Sequence, residues 1–398
     1  MSDLFLIGCC REKQPTAAAA RDLYVSERFR KCVQVADRLG AEWVVLSALH
    51  GVVASEQRLA PYDVELRGFT PDRSRAWIES AVAALRVRVR PGDRLTILAS
   101  DEYSLPLVEP LRRAGASIRL PFRERSRDAR MHWLDTALGQ TARAGDLDRF
   151  YALLAELQEG PMGFPALGAL AENPTLPARG VYFFFEAGES RLTSPSVARV
   201  VRVGTHAVSS GSSSTLWGRL RTHLGTRAGG GNHRSSIMRL HIGNALLARD
   251  HDRFSAPTWG SEQISIEAER SLEQAVSEHI ASMRVLCIAV PDAASATSDR
   301  SYIERHSIAL LSGNRGPLDV AHSAWLGSHS PHPAIRRSSL WNVNYVDDSY
   351  DSSFLDVLAA YVQASTGKRD LPPASLAPPD WPTRLQDPGQ QMLFGAAL

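Results

Sequence analysis

The segment WGRLRTH sets Arg219 and His223 four residues apart, which on a helix places a guanidinium and an imidazole on one face. The pair suits a phosphodiester. The guanidinium stays protonated and clamps non-bridging oxygens, while the imidazole can carry a proton near neutral pH. A carboxylate for a divalent cation would complete such a site. Glu304, in the helix-like run YIERHSIALLSGN, is the candidate, because Mg²⁺ (or Mn²⁺) needs few protein oxygens and keeps several waters. Asn314 lies just beyond that run, and Asn342 and Asn344 follow in LWNVNYV.

Each residue alone has an ordinary alternative: a strand tyrosine is usually core, an Arg and a His on a helix usually form a solvated face, and a helical glutamate is usually surface. Their order carries the signal. Two β-rich runs, GVYFFFEAGE with Tyr182 and SVARVVRVG with Arg202, Val203 and Gly204, precede WGRLRTH, and their polar connection predicts antiparallel pairing. Helices are expected over 215–224, 235–248, 262–283 and 300–311, with a buried strand over 284–290. The C-terminal part is therefore expected to be α+β, a small antiparallel sheet packed by helices.

At these residues the chain resembles the GIY-YIG nuclease superfamily over 179–314. The resemblance implies hydrolysis of DNA phosphodiesters with one divalent metal, Mg²⁺ or Mn²⁺, held by Glu304. It gives Tyr182 the place of the first-motif tyrosine, Arg219 that of the helix arginine, and His223 that of a histidine found in some restriction enzymes. A terminal asparagine of the family falls on Asn314, nearest in sequence, or on Asn342 or Asn344. Where the second motif offers a tyrosine this chain has Arg202, with His206 nearby as a substitute base or phosphate donor. Arg202 also keeps open a second reading, a DNA-binding or sensor protein whose nuclease site has decayed. The loop GGGNHRSS, with Arg234 and Arg239, fits the handling of a polyanion.

The first third reads differently. Strands are expected over 3–8, 42–48, 95–99 and, at an edge, 117–120, and helices over 18–39, 71–89 and 105–114. This alternation predicts a doubly wound, mostly parallel α/β sheet. Ligands of such sheets bind at the carboxyl ends of strands, where this chain has Cys9, Cys10 and Lys13, then Ser47 and His50, then Ser100, Asp101, Glu102 and Tyr103. LIGCCREK, ARDLYVSERF, VVLSALHGVV and APYD resemble the YaaA-like family over 3–138. Cys9 and Lys13, with Tyr24 and Ser26 downstream, are similar to the lysine motif of archaeosine synthase. That similarity implies Lys13 as a reactive lysine, and a domain that recognises or excises a modified base in DNA, as defence against foreign DNA would require.

The expected organisation is an α/β domain over 1–140, a helical linker over 141–178 with a helix over 130–158 broken at Gly145, a nuclease-like domain over 179–365, and a loosely packed Pro-rich tail over 366–398. At 398 residues and 44% apolar, the chain can build two cores. Its net charge of +2, from 45 basic and 43 acidic residues, supplies no global field for a nucleic acid, so recognition must be local. No apolar stretch suits a membrane span or a secretory signal, and the four cysteines lack zinc spacing, so a reduced, cytoplasmic protein is expected. GxGxxG and Walker phosphate loops are absent from the sequence, which argues against a nucleotide-processing enzyme. Sequence assigns no oligomeric state.

Overall fold

The computed structural model describes residues 3–171, 176–226, 228–313 and 316–381. It divides into two compact units at Gly145/Asp146.

In the first unit five strands make one sheet: β1 (Asp3–Gly8), β2 (Glu42–Ser47), β3 (Gly51–Ala54), β4 (Arg94–Leu98) and β5 (Ser117–Arg119), in the order β3-β2-β1-β4-β5. β2, β1, β4 and β5 pair in parallel, and β3 turns back antiparallel on β2. Alternate residues feed two cores. Phe5, Ile7, Trp43 and Val45 meet Phe29, Cys32 and Val35 of α1 (Glu27–Arg38) on one face. Leu4, Leu6, Val44, Leu46 and Ile97 meet Trp77 and Leu85 of α2 (Pro71–Arg86) and Leu107 of α3 (Asp101–Arg113) on the other. Burial on both faces explains why these strands read as unbroken apolar runs. The single helix expected over 18–39 is interrupted: Ser26 accepts a hydrogen bond from Phe29 N and so caps the start of α1.

α4 (Arg127–Gln158) runs unbroken through Gly145, contrary to the expected break. A helical glycine costs only about 1 kcal/mol against alanine. That cost is outweighed by the burial of Leu147, Phe150, Tyr151, Leu154 and Leu157, which makes this stretch part of the second unit's core rather than a linker.

The second unit is built on β6 (Gly180–Ser190), β7 (Ala198–Gly204) and β8 (Arg284–Ala289), all antiparallel, in the order β8-β6-β7. Val181, Phe183 and Phe185 face the second half of α4 together with α8 (Asp299–Ser312) and α10 (Phe354–Ser365). Tyr182 and Phe184 face α5 (Leu216–Leu224), α6 (Ile237–Arg249) and α7 (Ile266–Ser282). A short α9 (Pro333–Ser338) packs beside a 3₁₀ turn at Leu326–His329. The expected loose tail is also corrected as far as Trp381. Ala377 and Trp381 are buried, and the Asp299 carboxylate accepts bonds from Leu376 N and Ala377 N.

All four cysteines are free thiols. Among the described residues no helix is long and apolar enough to cross a membrane.

Candidate active site

Two glycines allow the centre of the second unit to close. A Cβ on Gly180 would lie 2.0 Å from Ile288 O, and one on Gly204 would lie 2.2 Å from the phenolic oxygen of Tyr182. Tyr182 and Gly204 are directly opposite in the β6–β7 register, so the phenol lies across the glycine backbone.

Thr215 caps α5 by accepting from Gly218 N at 3.1 Å, and the helix then carries His223 into the core. Its Nε2 is 2.8 Å from Tyr182 Oη and its Nδ1 is 2.8 Å from Ser236 Oγ. Burial, then the charge of Arg202, holds the imidazole well below its usual pKa, so it is neutral. Ser236 Oγ already accepts from Arg239 N. The consistent assignment has Nδ1–H donating to Ser236 and the Tyr182 hydroxyl donating to Nε2.

Glu304 projects from α8. Its Oε1 accepts from Thr205 N at 3.1 Å, just past the end of β7. Burial pushes its carboxyl up to about 7, against the pull of Arg202, the Thr205 amide and Arg219. Arg202, opposite Phe184 in the register, is buried, gives Nη1 to Trp341 O at 2.7 Å and leaves Nε unpaired among the described residues. Arg219 is half-buried and its guanidinium has no hydrogen-bond partner among the described residues, while its charge acts on Glu304, His206 and His223. The charges of Arg202 and Arg219 thus act on both His223 and Glu304, and His223 in turn bonds Tyr182.

His206 does not act there as a free base, which corrects the expectation. Its Nδ1 donates to Ser214 O at 3.0 Å and its Nε2 accepts from Gly180 N at 3.4 Å, with its pKa lowered to about 4, first by burial and then by Arg300. It ties strand β6 to the chain before α5. Arg239 is corrected likewise: it is fully buried, paired with Glu273 and bonded to His223 O, while Arg234 pairs with Glu269. Arg239 fastens the GGGNHRSS loop from inside the core and does not face solvent as a phosphate contact, while Arg234 stays exposed and already spends its guanidinium on Glu269 and the 258–263 carbonyls. Asn314 lies outside the described residues. Asn342 instead brackets Val203, accepting from its N–H at 3.1 Å and donating to its C=O at 2.8 Å.

Among the described residues no three His, Cys, Asp or Glu side chains group to hold a metal ion. The site nonetheless fits a hard divalent cation that keeps most of its waters. Glu304 Oε2 has no hydrogen-bond partner among the described residues, and a cation beside it would relieve the cost of ionising this half-buried, poorly solvated carboxyl.

In the first unit a pocket of about 260 Å³ opens at the carboxyl ends of β1 and β4 and gathers Cys9, Cys10, Lys13, Ser100, Glu102 and Tyr103. Cys9 Sγ is 3.4 Å from Tyr103 Oη. Lys13 Nζ donates to Cys10 O at 2.9 Å and to Arg11 O at 3.3 Å, and lies 4.2 Å from the centre of the Tyr62 ring. Ser47 is buried and bonds Tyr62 Oη at 2.7 Å, which bonds Tyr24 Oη at 2.8 Å; the His50 ring rests edge-on against Tyr62. Asp101 accepts from Glu124 N at 3.3 Å. Ser47, His50 and Asp101 are therefore outside the pocket lining, contrary to their expected role as direct ligand contacts.

Sequence reading missed Ser236 and Tyr62 as parts of these two sites and left Asn342 as one of three asparagines on offer. Ser236 had a detectable signal, a serine at the foot of a helix. Tyr62 had none, because its partners Ser47 and Tyr24 lie 15 and 38 residues away in the chain. A larger cavity, about 1060 Å³, lies along Trp217, Arg221 and the 225–235 loop, and none of Tyr182, His223 and Glu304 lines it.

Comparison with known proteins gives two matches. Residues 141–368, more than half of the chain, match the family model described as a GIY-YIG domain, and residues 4–136 match a family of unknown function, DUF6884. The second match attaches no activity to the first unit, and nothing in it supports the YaaA-like or archaeosine-synthase resemblance. No curated protein and no solved structure matches the chain.

Proposed function

The chain belongs to the GIY-YIG domain family, whose nuclease-type domain implies nucleic-acid binding, and from that premise we propose that it is a DNA endonuclease hydrolysing phosphodiesters at the Glu304 site. The observation that carries this reading is the 2.8 Å contact of Tyr182 with a buried, neutral His223, beside a carboxyl flanked by two arginines.

The chemistry follows from those groups. His223 Nε2 takes the phenolic hydrogen of Tyr182, which leaves the phenolic lone pairs to accept the proton of an attacking water as the Tyr182 proton moves to His223. Arg219 and Arg202 bring fixed positive charge to the phosphate oxygens, where negative charge builds in the transition state. A divalent cation, Mg²⁺ or Mn²⁺, held by Glu304 would supply Lewis-acid polarisation of the phosphate. No covalent intermediate is needed. Glu304→Ala or Arg219→Ala abolishes metal-dependent nicking of a supercoiled plasmid while far-UV circular dichroism stays native; undiminished nicking by both variants removes the site from consideration. Binding without cleavage in every metal tried would instead mark a DNA-binding or sensor protein.

For the first unit we propose recognition of a modified base in the pocket beside Lys13, a pairing suited to restriction of foreign DNA. Excision by Lys13 would need a neutral amine. Its Nζ donates to two backbone carbonyls and lies over the face of Tyr62, so Lys13 is assigned as a hydrogen-bond donor to the ligand. If Lys13→Ala abolishes release of a free base from modified DNA, excision replaces recognition.

A further inference from the structure

Tyr182 is 1% exposed, with its oxygen against Gly204 and bonded to His223, whereas a second phenol lies open. Tyr345 is 38% exposed. Three independent features bring it to the Glu304 site.

The first is register. Trp341 N donates to Val201 O at 2.7 Å, Arg202 Nη1 donates to Trp341 O, and Asn342 brackets Val203. The segment therefore runs alongside the end of β7, the strand that leads into Thr205, whose amide holds Glu304. The second is the partner of the ring. The guanidinium of Arg305, the residue after Glu304, lies 5.0 Å from the Tyr345 ring centre and is fixed by Asp348 Oδ2 at 2.7 Å. The third is the backbone: Tyr345 has φ +65°, a left-handed conformation that a bulky residue adopts only where its surroundings impose it. Burial, and then the nearby Glu304, raise the phenol's pKa, so it remains a hydrogen-bond donor.

Resting on the nuclease reading above, we propose that Tyr345 is a substrate-contacting residue of the Glu304 site, its phenolic hydroxyl donating a hydrogen bond to a non-bridging oxygen of the bound phosphodiester. Arg305, next to Glu304 in the chain, packs against the ring and holds it beside that site.

The test compares the full chain with Tyr345→Phe, Tyr345→Gly and Glu304→Gln, reading Mn²⁺-supported cleavage of a DNA duplex, binding of that duplex in EDTA, and the melting temperature. Removing one hydrogen bond to a charged oxygen lowers kcat/KM roughly 10- to 100-fold in Tyr345→Phe, with weaker metal-free binding and unchanged melting. Tyr345→Gly loses at least as much activity while melting at the same or a higher temperature, because glycine relieves the left-handed strain. Wild-type cleavage and binding by Tyr345→Phe, with Glu304→Gln inactive, would overturn the assignment and leave the nuclease reading intact. A fall in melting temperature in Tyr345→Gly, with Tyr345→Phe fully active, would make Tyr345 a packing residue. A wild-type chain that neither binds nor cuts the duplex would remove both readings.

Discussion

Glu102 in the first unit and Glu304 in the second both have arginines for neighbours, yet their carboxyls are pushed in opposite directions, to about 2 and about 7. Glu102 stands at the open start of α3, where the Ser100 hydroxyl and its own backbone amide bond the carboxylate and water still reaches it. Glu304 receives one backbone bond inside the second unit, and loss of water outweighs two nearby guanidinium groups. A neighbouring arginine alone does not fix the charge of a carboxyl; the balance of hydrogen bonds against desolvation does. The first unit displays polar groups on a rim ready to meet a ligand, while the second holds its groups at a cost that a bound cation and phosphate would relieve.

The comparison breaks most visibly at Glu304 itself. Glu304→Gln is expected to lower metal-dependent DNA cleavage by roughly 10³-fold or more, while Glu102→Gln leaves cleavage within about threefold; initial rates on one plasmid substrate decide it. Equal losses would mean that the two carboxyls do not differ in role.

Gly204→Ala comes next. The added methyl collides with the Tyr182 oxygen and cannot be relieved without moving β6 from β7, so urea denaturation should show a loss of roughly 2–4 kcal/mol. In the first unit a Cβ on Gly8 would meet the Ala99 side chain at 2.9 Å, and Gly8→Ala should cost less than Gly204→Ala.

The third prediction uses pH. Ionising Glu304 costs the folded chain more than the unfolded one, so its contribution to stability is fully present below about 4.5 and is lost as pH rises through about 7. Glu304→Gln should therefore melt with the wild type at pH 4 and be more stable at pH 8, by on the order of 2 kcal/mol. Mn²⁺ should raise the melting temperature of the wild type at pH 8 and leave that of Glu304→Gln unchanged. A variant less stable than the wild type at pH 8 would show that Glu304 is ionised and well solvated.

The smallest effect belongs to the first unit's buried rim. Ser47→Ala removes one hydroxyl from the chain to Tyr62 and Tyr24 and should cost about 1–2 kcal/mol, with cleavage of unmodified DNA unchanged. Thermal unfolding and the same plasmid assay check both halves.

Much of the fold was legible because burial imposes a period. Apolar runs such as LFLIG and VYFFF were readable as strands because both faces of each sheet are covered. Helix starts at Ser26, Thr215 and Ser236 follow from a hydroxyl bonding a free backbone amide three residues on. Gly145 misled because propensity is weak beside the packing of five large side chains. His206 and Arg239 misled because type and spacing do not tell whether both nitrogens of an imidazole, or all sides of a guanidinium, are already occupied.

The chain by itself determined which residues alternate into the cores, where helices can begin, and that tyrosine, histidine, arginine and glutamate recur in an order suited to phosphodiester chemistry. Only the tertiary structure decided that Tyr182 rests on Gly204 and His223, that Asn342 joins the 340–345 segment to β7, and that Tyr345 rather than Tyr182 is the open phenol. The reason is physical: periodicity and capping act over a few residues and leave a local trace, whereas desolvation and hydrogen-bond saturation depend on neighbours 41 to 139 residues away, as for His223 beside Tyr182 and Asn342 beside Val203.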